Sequence, residues 1–569
     1  MSGESEIRRS MGCAREPEDA DSEECPVVAL GQRNGVYYFL SVAGERREMR
    51  ARDMTELGML SLFNGDSTWL FTHYAKLDRK DRPTGAVDCT AAAAALMRRC
   101  ASVGLYRLDT PIRSIGVWRD PKLGVVAHCG DEIFYFEGGK RRRKRAGVHH
   151  GHAIYVAAPA IEPPTEQPAT RDECRELMDQ VRELWRYQAK HLGRLVFGFL
   201  AVALMGEAPS WRVHILLIGA RGSGKSTLLK LIRAALGPQA NYTNDPTEAG
   251  LRELLTDEAR AIVYDEAGPG PGEQGSARIG AIVGLLRRMA ADEGAKSVRG
   301  SGGQAKQYAM AGSAALAAAN APALDAQDRS RILEVDMLTA DPDNLPAVEE
   351  AIDAAEKLSP ALRARALAGF ERFVQNLAVY RDALLASECD ARQADQLGTL
   401  LAAAAMMCSD EPIAAENAMR DVEGLAPVVA EYRAEDEEQS NARRCYSTLL
   451  STAVEHWKGG AKSNIGRLVQ LARDPSRMAE REALAVYGLR LEERADGAQE
   501  LWIANSHRAL ERLFEGTPWA AGGHRRALMR LPGAEAGAVP RSFNGYKSRF
   551  IAIPERHLPE KPPAAPPVA

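Results

Sequence analysis

The stretch HILLIGARGSGKSTLLKLIRAAL constrains this chain more than any other part of it. A short apolar run, a glycine-rich turn and an amphipathic run at helical spacing follow in the order that aims backbone N–H groups at a bound anion. Gly219, Ala220, Arg221, Gly222, Ser223 and Gly224 make the turn, and its glycines let the amides converge on phosphate oxygens. Lys225 then opens a helix and reaches toward the β and γ phosphates, Ser226 offers a hydroxyl to Mg²⁺, and Thr227 completes the cradle. The cofactors expected from this chemistry are ATP and Mg²⁺. Such a unit belongs in a parallel sheet flanked by helices.

The downstream sequence supplies the other groups that triphosphate hydrolysis needs. ARAIVYDEAG is an apolar strand ending in two carboxylates, with Asp265 placed to hold the metal and Glu266 to polarise the attacking water. A third apolar run, AALAAAN, ends at Asn320, whose side chain could position that water; its bland alternative is a turn residue before Ala321 and Pro322. Asp328-Arg329-Ser330-Arg331-Ile332 opens a further strand, and an arginine here could stabilise transition-state charge on a neighbouring subunit's nucleotide. Arg331 is the first choice and Arg329 the second; the alternative is a surface ion pair with Asp328. Between these motifs Lys296, Arg299 and Lys306 flank a glycine-rich turn at Gly300 to Gly303, which reads as a basic hairpin. In a ring such a hairpin would face the channel and follow a phosphate backbone, and the competing reading is a solvated loop.

The order GARGSGKS, IVYDE, basic glycine-rich hairpin, Asn320 and DRSRI resembles the superfamily 3-like helicases of phages, plasmids and large DNA viruses. The likeness is strongest to the helicase half of phage primase-helicases and covers roughly residues 190–345. It implies an AAA+-like ATPase, assembled as a homo-oligomer (a hexamer), that moves on DNA, single-stranded by expectation, during replication of a phage or other mobile element alongside other replication proteins. The N-terminal region lacks the acidic pairs and zinc-ligand spacing of a priming centre, so no priming activity is expected. The family's tandem arginines are here split by Ser330.

At 569 residues the chain needs several hydrophobic cores. Residues 1–25 are polar and acidic and read as a disordered leader, without the apolar run of an export signal. Residues 26–165 form an N-terminal α+β domain, beginning with two β-rich runs about Asn34-Gly35. Residues 170–345 hold the ATPase core with its preceding helices, 346–435 an alanine-rich helical lid, 441–558 a winged-helix-like domain, and 559–569 a proline-rich tail. The fold class expected is therefore multidomain α/β about a central parallel sheet.

In the C-terminal domain three helices are expected, at 446–457, after Ser463 as N-cap, and at 478–487, followed by a hairpin turning at Asp496-Gly497. Arg467, Arg473 and Arg481 are its candidate DNA contacts, against an equal prospect of protein contacts. The run Lys140-Arg141-Arg142-Arg143-Lys144-Arg145 reads as a loop or hairpin tip that could grip DNA or simply be solvated. His149, His150 and His152 lack partners at metal-ligand spacing.

A formal net charge of −4 requires any nucleic-acid contact to come from local patches. The nine scattered cysteines without a CxxC pair read as reduced thiols of a cytoplasmic protein. The longest apolar stretch, residues 195–205, is too short to cross a bilayer and reads as a buried helix. Two other functions fit the same motifs: a nucleotide-dependent signalling or defence switch, and a DNA-packaging or helicase-loader ATPase.

Overall fold

The computed structural model describes residues 25–137, 140–150, 153–244, 246–268, 272–290, 297–301, 304–308, 310–320, 322, 324–387, 389–427, 429–430, 441–456, 461–494 and 496–561. The expected leader up to residue 24, His152, Lys296 and the tail from residue 562 lie outside them, as do the side chains of Arg299 and Lys306. The chain forms two compact units, residues 1–425 and 426–569.

In the first unit a five-stranded parallel sheet runs in the spatial order Ala240–Thr243, Ala261–Tyr264, Ala314–Ala318, His214–Ile218, Ile332–Asp336. The strand before the glycine loop is therefore separated from the strand before Asp265 by the strand that leads to Asn320. All five positions of Ala314–Ala318 are buried, and small side chains suit a central strand covered on both faces. Helix Lys225–Leu236 packs against helix Leu345–Ala368, which is followed by helices Phe370–Ala386, Ala391–Cys408 and Ala415–Gly424.

Helix Leu192–Leu204 is buried at every position but Arg194 and lies against Ala391–Cys408. Gly198 sets that approach, because a Cβ there would sit 2.2 Å from the Leu400 carbonyl oxygen. The apolar stretch is thus a core helix. Among the described residues no helix is long and apolar enough to cross a membrane.

Before these helices comes a β-rich region. Strands Val28–Arg33, Val36–Leu40 and Arg46–Arg50 form a meander, and Asn34 and Gly35 turn the first corner at φ 51° and 73°. That pair of positive φ angles is the type I′ hairpin geometry expected of Asn-Gly. A four-stranded antiparallel sheet follows in the order Lys140–Arg145, Glu132–Glu137, Gly124–His128, Gly116–Asp120. The basic run is thus the outermost strand of a sheet, and not a loop. Its alternation is hidden in the sequence because every position carries the same charge. The region joins the core directly: Ala259 N–H donates to Ile115 O at 3.0 Å, and a Cβ on Gly116 would collide with the Ala259 backbone.

The second unit has helices Asn441–Ser451, Ile465–Ala472 and Met478–Val486, then strands Leu489–Glu493 and Gln499–Ala504 joined about Gly497 at φ 85°. The first helix stops at Ser451 because Ala453–His456 pairs with Ala461–Asn464 as a hairpin. Asn464, and not Ser463, caps the second helix by accepting from Arg467 N–H. A further strand, Phe550–Pro554, pairs with Gln499–Ala504 and closes a core around Leu468, Leu484, Leu501 and Ile553.

Candidate nucleotide-binding site

In an open parallel sheet, ligands bind beyond the carboxyl ends of the strands, where loops leave the sheet. The glycine loop, Asp265 and Asn320 all emerge at that edge, from three adjacent strands. Gly222 and Gly224 both adopt φ 84°, a left-handed conformation that lets successive amides turn toward one centre. Gly219 has no space for a side chain, since a Cβ would lie 2.6 Å from Met337 O. The loop is further tied down by Ala340 N–H donating to Gly222 O at 3.1 Å.

Lys225 folds its ammonium into this turn, donating to Gly219 O at 2.6 Å, Ala220 O at 2.9 Å and Ser223 Oγ at 3.2 Å. Partial burial holds its pKa below the ordinary lysine value, and the nearby Asp265 carboxylate opposes that shift. Ser226 is exposed at the helix start and Asp265 is half-buried. A hydroxyl and a carboxylate are the hard oxygen donors that Mg²⁺ takes alongside phosphate oxygens, so the residues present fit that ion. Arg221 is exposed, and Thr227 Oγ1 donates to Gly224 O at 2.8 Å within the first helical turn.

Glu266 is exposed and sits at φ 63°. Among the described residues, five of the other six non-glycine residues with positive φ are asparagine or aspartate, which tolerate that conformation, so a glutamate there stores strain. The conformation is enforced from both sides: Glu266 N–H donates to Asp265 Oδ1 at 3.0 Å and Ala267 N–H to Ala317 O at 2.7 Å. Asn320 is exposed just past the central strand, and its carbonyl oxygen lies 3.5 Å from where a Cβ of Gly268 would be.

The two arginines part company. Arg329 is buried, with an ion pair to Glu334 at 3.6 Å and a hydrogen bond to Leu324 O at 3.0 Å. Arg331 precedes strand Ile332–Asp336 and therefore stands at the amino-terminal edge of the sheet, opposite its own glycine loop. Its guanidinium lies 5.4 Å from the Trp211 ring centroid and donates to Gln327 O at 2.8 Å. Burial, with Arg392 and Arg287 nearby, pulls its pKa below the usual arginine value. No carboxylate among the described residues is within 4 Å of it. The expected basic hairpin exists as Ser297–Ser301 paired with Gln304–Tyr308, with Arg299 directly opposite Lys306.

One residue of the site, and one at the opposite, amino-terminal edge of the same sheet, carry no motif in the sequence. Trp185, buried ahead of the core, donates its indole N–H to Gly224 O and Thr227 Oγ1. His214 accepts from Ala314 N–H at 3.0 Å on Nδ1 and so donates from Nε2 to Leu286 O at 2.9 Å, linking two strands and a helix. In the second unit Arg473 is also internal, bonded to Gln499, Glu555 and Pro559 O, while Arg481 donates to Ala472 O. Arg473 therefore presents no free cation, whereas Arg481 is half-buried and Arg467 is exposed.

No protein-family model matches the chain, and no curated protein matches it. Among solved structures it is similar to "SCCmec type IV Cch - active helicase" at 13% identity and a TM-score of 0.51, covering 93% of each chain. The two chains share a fold. A full-length MCM homolog from Methanopyrus kandleri matches at 16% identity over 53% of this chain and 73% of that one, TM-score 0.29. The apo NrS-1 C-terminal region matches at 12% identity over 76% and 95%, TM-score 0.31. These last two superpose too loosely to carry weight.

Proposed function

We propose that the chain is an ATP-hydrolysing DNA helicase or translocase that works as a ring, in the replication of a phage or other mobile element. The observation that carries this reading is the split of the reaction groups between two edges of one sheet. Lys225, Ser226, Asp265, Glu266 and Asn320 stand at the carboxyl edge and Arg331 at the amino edge. A strand of five residues is about 17 Å long, so Arg331 is out of reach of its own nucleotide and serves a neighbour's.

In this reading the ammonium of Lys225 exchanges its three loop acceptors for phosphate oxygens. Glu266 polarises the attacking water and Asn320 orients it. Mg²⁺, when held by Ser226 and Asp265, neutralises charge on the phosphate oxygens. Arg331 lends its guanidinium across the subunit boundary, so hydrolysis depends on assembly. The Ser297–Tyr308 hairpin, with Lys296, Arg299 and Lys306, takes single-stranded DNA. It leads within a few residues into the Ala314–Ala318 strand and Asn320, which links a pull on DNA to the water-positioning group. The helices from Leu345 onward serve as the AAA+ lid, and the three helices and hairpin of the second unit as a winged helix. The fold shared with an active helicase supports the same reading.

The test is the ATPase rate with and without single-stranded DNA, alongside particle size with a nonhydrolysable nucleotide. Stimulation by DNA, lost in Arg299→Ala/Lys306→Ala while the basal rate stays, is expected. A chain that never assembles and whose ATPase ignores DNA would sink the reading.

A further inference from the structure

The densest positive charge in the chain lies well away in sequence from the glycine loop. Residues Lys140–Arg145 pair in unbroken antiparallel register with Glu132–Glu137 and form the free edge of their sheet. One of the six cations is consumed internally: Arg141 reaches Pro164 O at 2.5 Å and Glu166 at 3.1 Å, and lies over the Phe134 ring. Arg142 and Arg143 meet Glu137 and Glu132 at 3.5 and 3.4 Å, but both side chains are more than half exposed. Such pairs are loose and screened. Lys140, Lys144 and Arg145 are exposed with no carboxylate within 4 Å among the described residues.

Five exposed cations thus face two carboxylates along one edge. A lysine or two suffices to stop an edge strand from recruiting another chain. Six consecutive cations exceed that need and repel one another, an arrangement that a polyanion relieves. Side chains on one face of a strand repeat about every 6.8 Å, twice the roughly 3.4 Å advance per phosphate along one strand of B-form DNA. The outward N–H groups of a sheet edge are further donors for phosphate oxygens.

We propose that the edge strand Lys140–Arg145 is a second nucleic-acid site, which grips a phosphodiester backbone along the sheet edge. It is separate from the Ser297–Tyr308 hairpin and rests on the proposed DNA reading only in naming the polyanion. Lys140, Lys144 and Arg145 carry most of the contact, Arg142 and Arg143 join by leaving their carboxylates, and Arg141 anchors the strand.

The test is equilibrium binding of the full chain, without nucleotide, to a fluorescent single-stranded oligonucleotide and to a duplex of the same sequence across a salt series. In Lys140→Gln/Lys144→Gln/Arg145→Gln, affinity should fall tenfold or more and the slope of log K against log salt should flatten by about two to three, near one per lost phosphate contact. The form that loses more affinity is the form the edge holds. Glu137→Gln, which frees Arg142, should tighten binding severalfold and guards against a triple variant that is merely misfolded. Unchanged affinity and slope for both DNA forms would overturn the site, as would a parent chain that binds neither. Failure of the helicase reading shows elsewhere, as an ATPase that ignores DNA in a parent chain that still binds it.

Discussion

The indole N–H of Trp185 donates to the carbonyl oxygen of Gly224 at 3.1 Å. Gly224 is the last loop residue before Lys225, it sits at φ 84°, and a Cβ on it would approach Trp185 Cδ1 to 3.1 Å. The same N–H lies 3.2 Å from Thr227 Oγ1. One side chain from outside the sheet therefore fixes both the left-handed turn and the first helical residues of the cradle.

Trp185→Phe keeps an aromatic ring in place but removes the donor together with one ring of the buried indole. A net hydrogen bond is worth about 1 kcal/mol, so nucleotide affinity should weaken about fivefold. Titration with a nonhydrolysable ATP analogue measures it, and equal affinities would show that Trp185 only fills space.

Lys225→Ala and Glu266→Gln should separate binding from chemistry. The first removes the ammonium at the centre of the loop, and both nucleotide affinity and hydrolysis should collapse. The second keeps the shape of the side chain without its basicity, so affinity should hold while hydrolysis falls about a hundredfold or more. A Glu266→Gln protein with normal turnover would remove Glu266 from the reaction.

Arg329→Ala and Arg331→Ala should fail in different ways. The first removes a buried guanidinium that pairs with half-buried Glu334 and bonds Leu324 O, and should cost about 1–3 kcal/mol of stability, visible in thermal melting. The second should melt normally yet hydrolyse roughly a thousandfold more slowly. Mixing Arg331→Ala with Lys225→Ala subunits should restore part of the activity, because each supplies what the other lacks. Mixtures that stay inactive would argue against an arginine shared between subunits.

The glycine loop, the Asp265 strand and the basic hairpin were legible because each rests on local chemistry: glycine at positive φ, an apolar run with a polar end, a two-strand period about a turn. Trp185 and His214 were not, since nothing in the adjacent residues says that an indole meets Gly224 or an imidazole joins three elements. Arg329 and Arg473 mislead for the same reason. A cation beside a motif looks free until Glu334 or Glu555 is folded against it. The edge strand at 140–145 read as a loop because uniform charge erases the alternation that marks a strand.

Acid should loosen the first unit through His214. The ring is wholly buried, and desolvation lowers its pKa from 6.5 to about 4, with its hydrogen bond to Leu286 O opposing. The fold therefore favours the neutral ring, and the unfolded chain takes up the proton first. The stabilisation is complete above about pH 6.5 and is lost as pH falls from there toward 4, by roughly 3 kcal/mol for a shift of this size. His128, buried and also lowered to about 4, adds in the same direction. Asp257 works against both: burial raises its pKa to about 6, so its contribution is largest in acid and declines as pH rises through 6. Burial also lowers the pKa of His191 and raises those of Asp328 and Asp336, but the large shifts are those of His214, His128 and Asp257. Two of these three weaken the fold in acid, so the melting temperature should drop between pH 6.5 and 4. His214→Gln should lower the melting temperature at neutral pH yet flatten that decline, because the titrating group is gone. If the variant keeps the full slope, or if the ring protons of labelled histidine in the parent chain show His214 titrating near 6.5, the buried neutral imidazole is not what holds the strand to the helix.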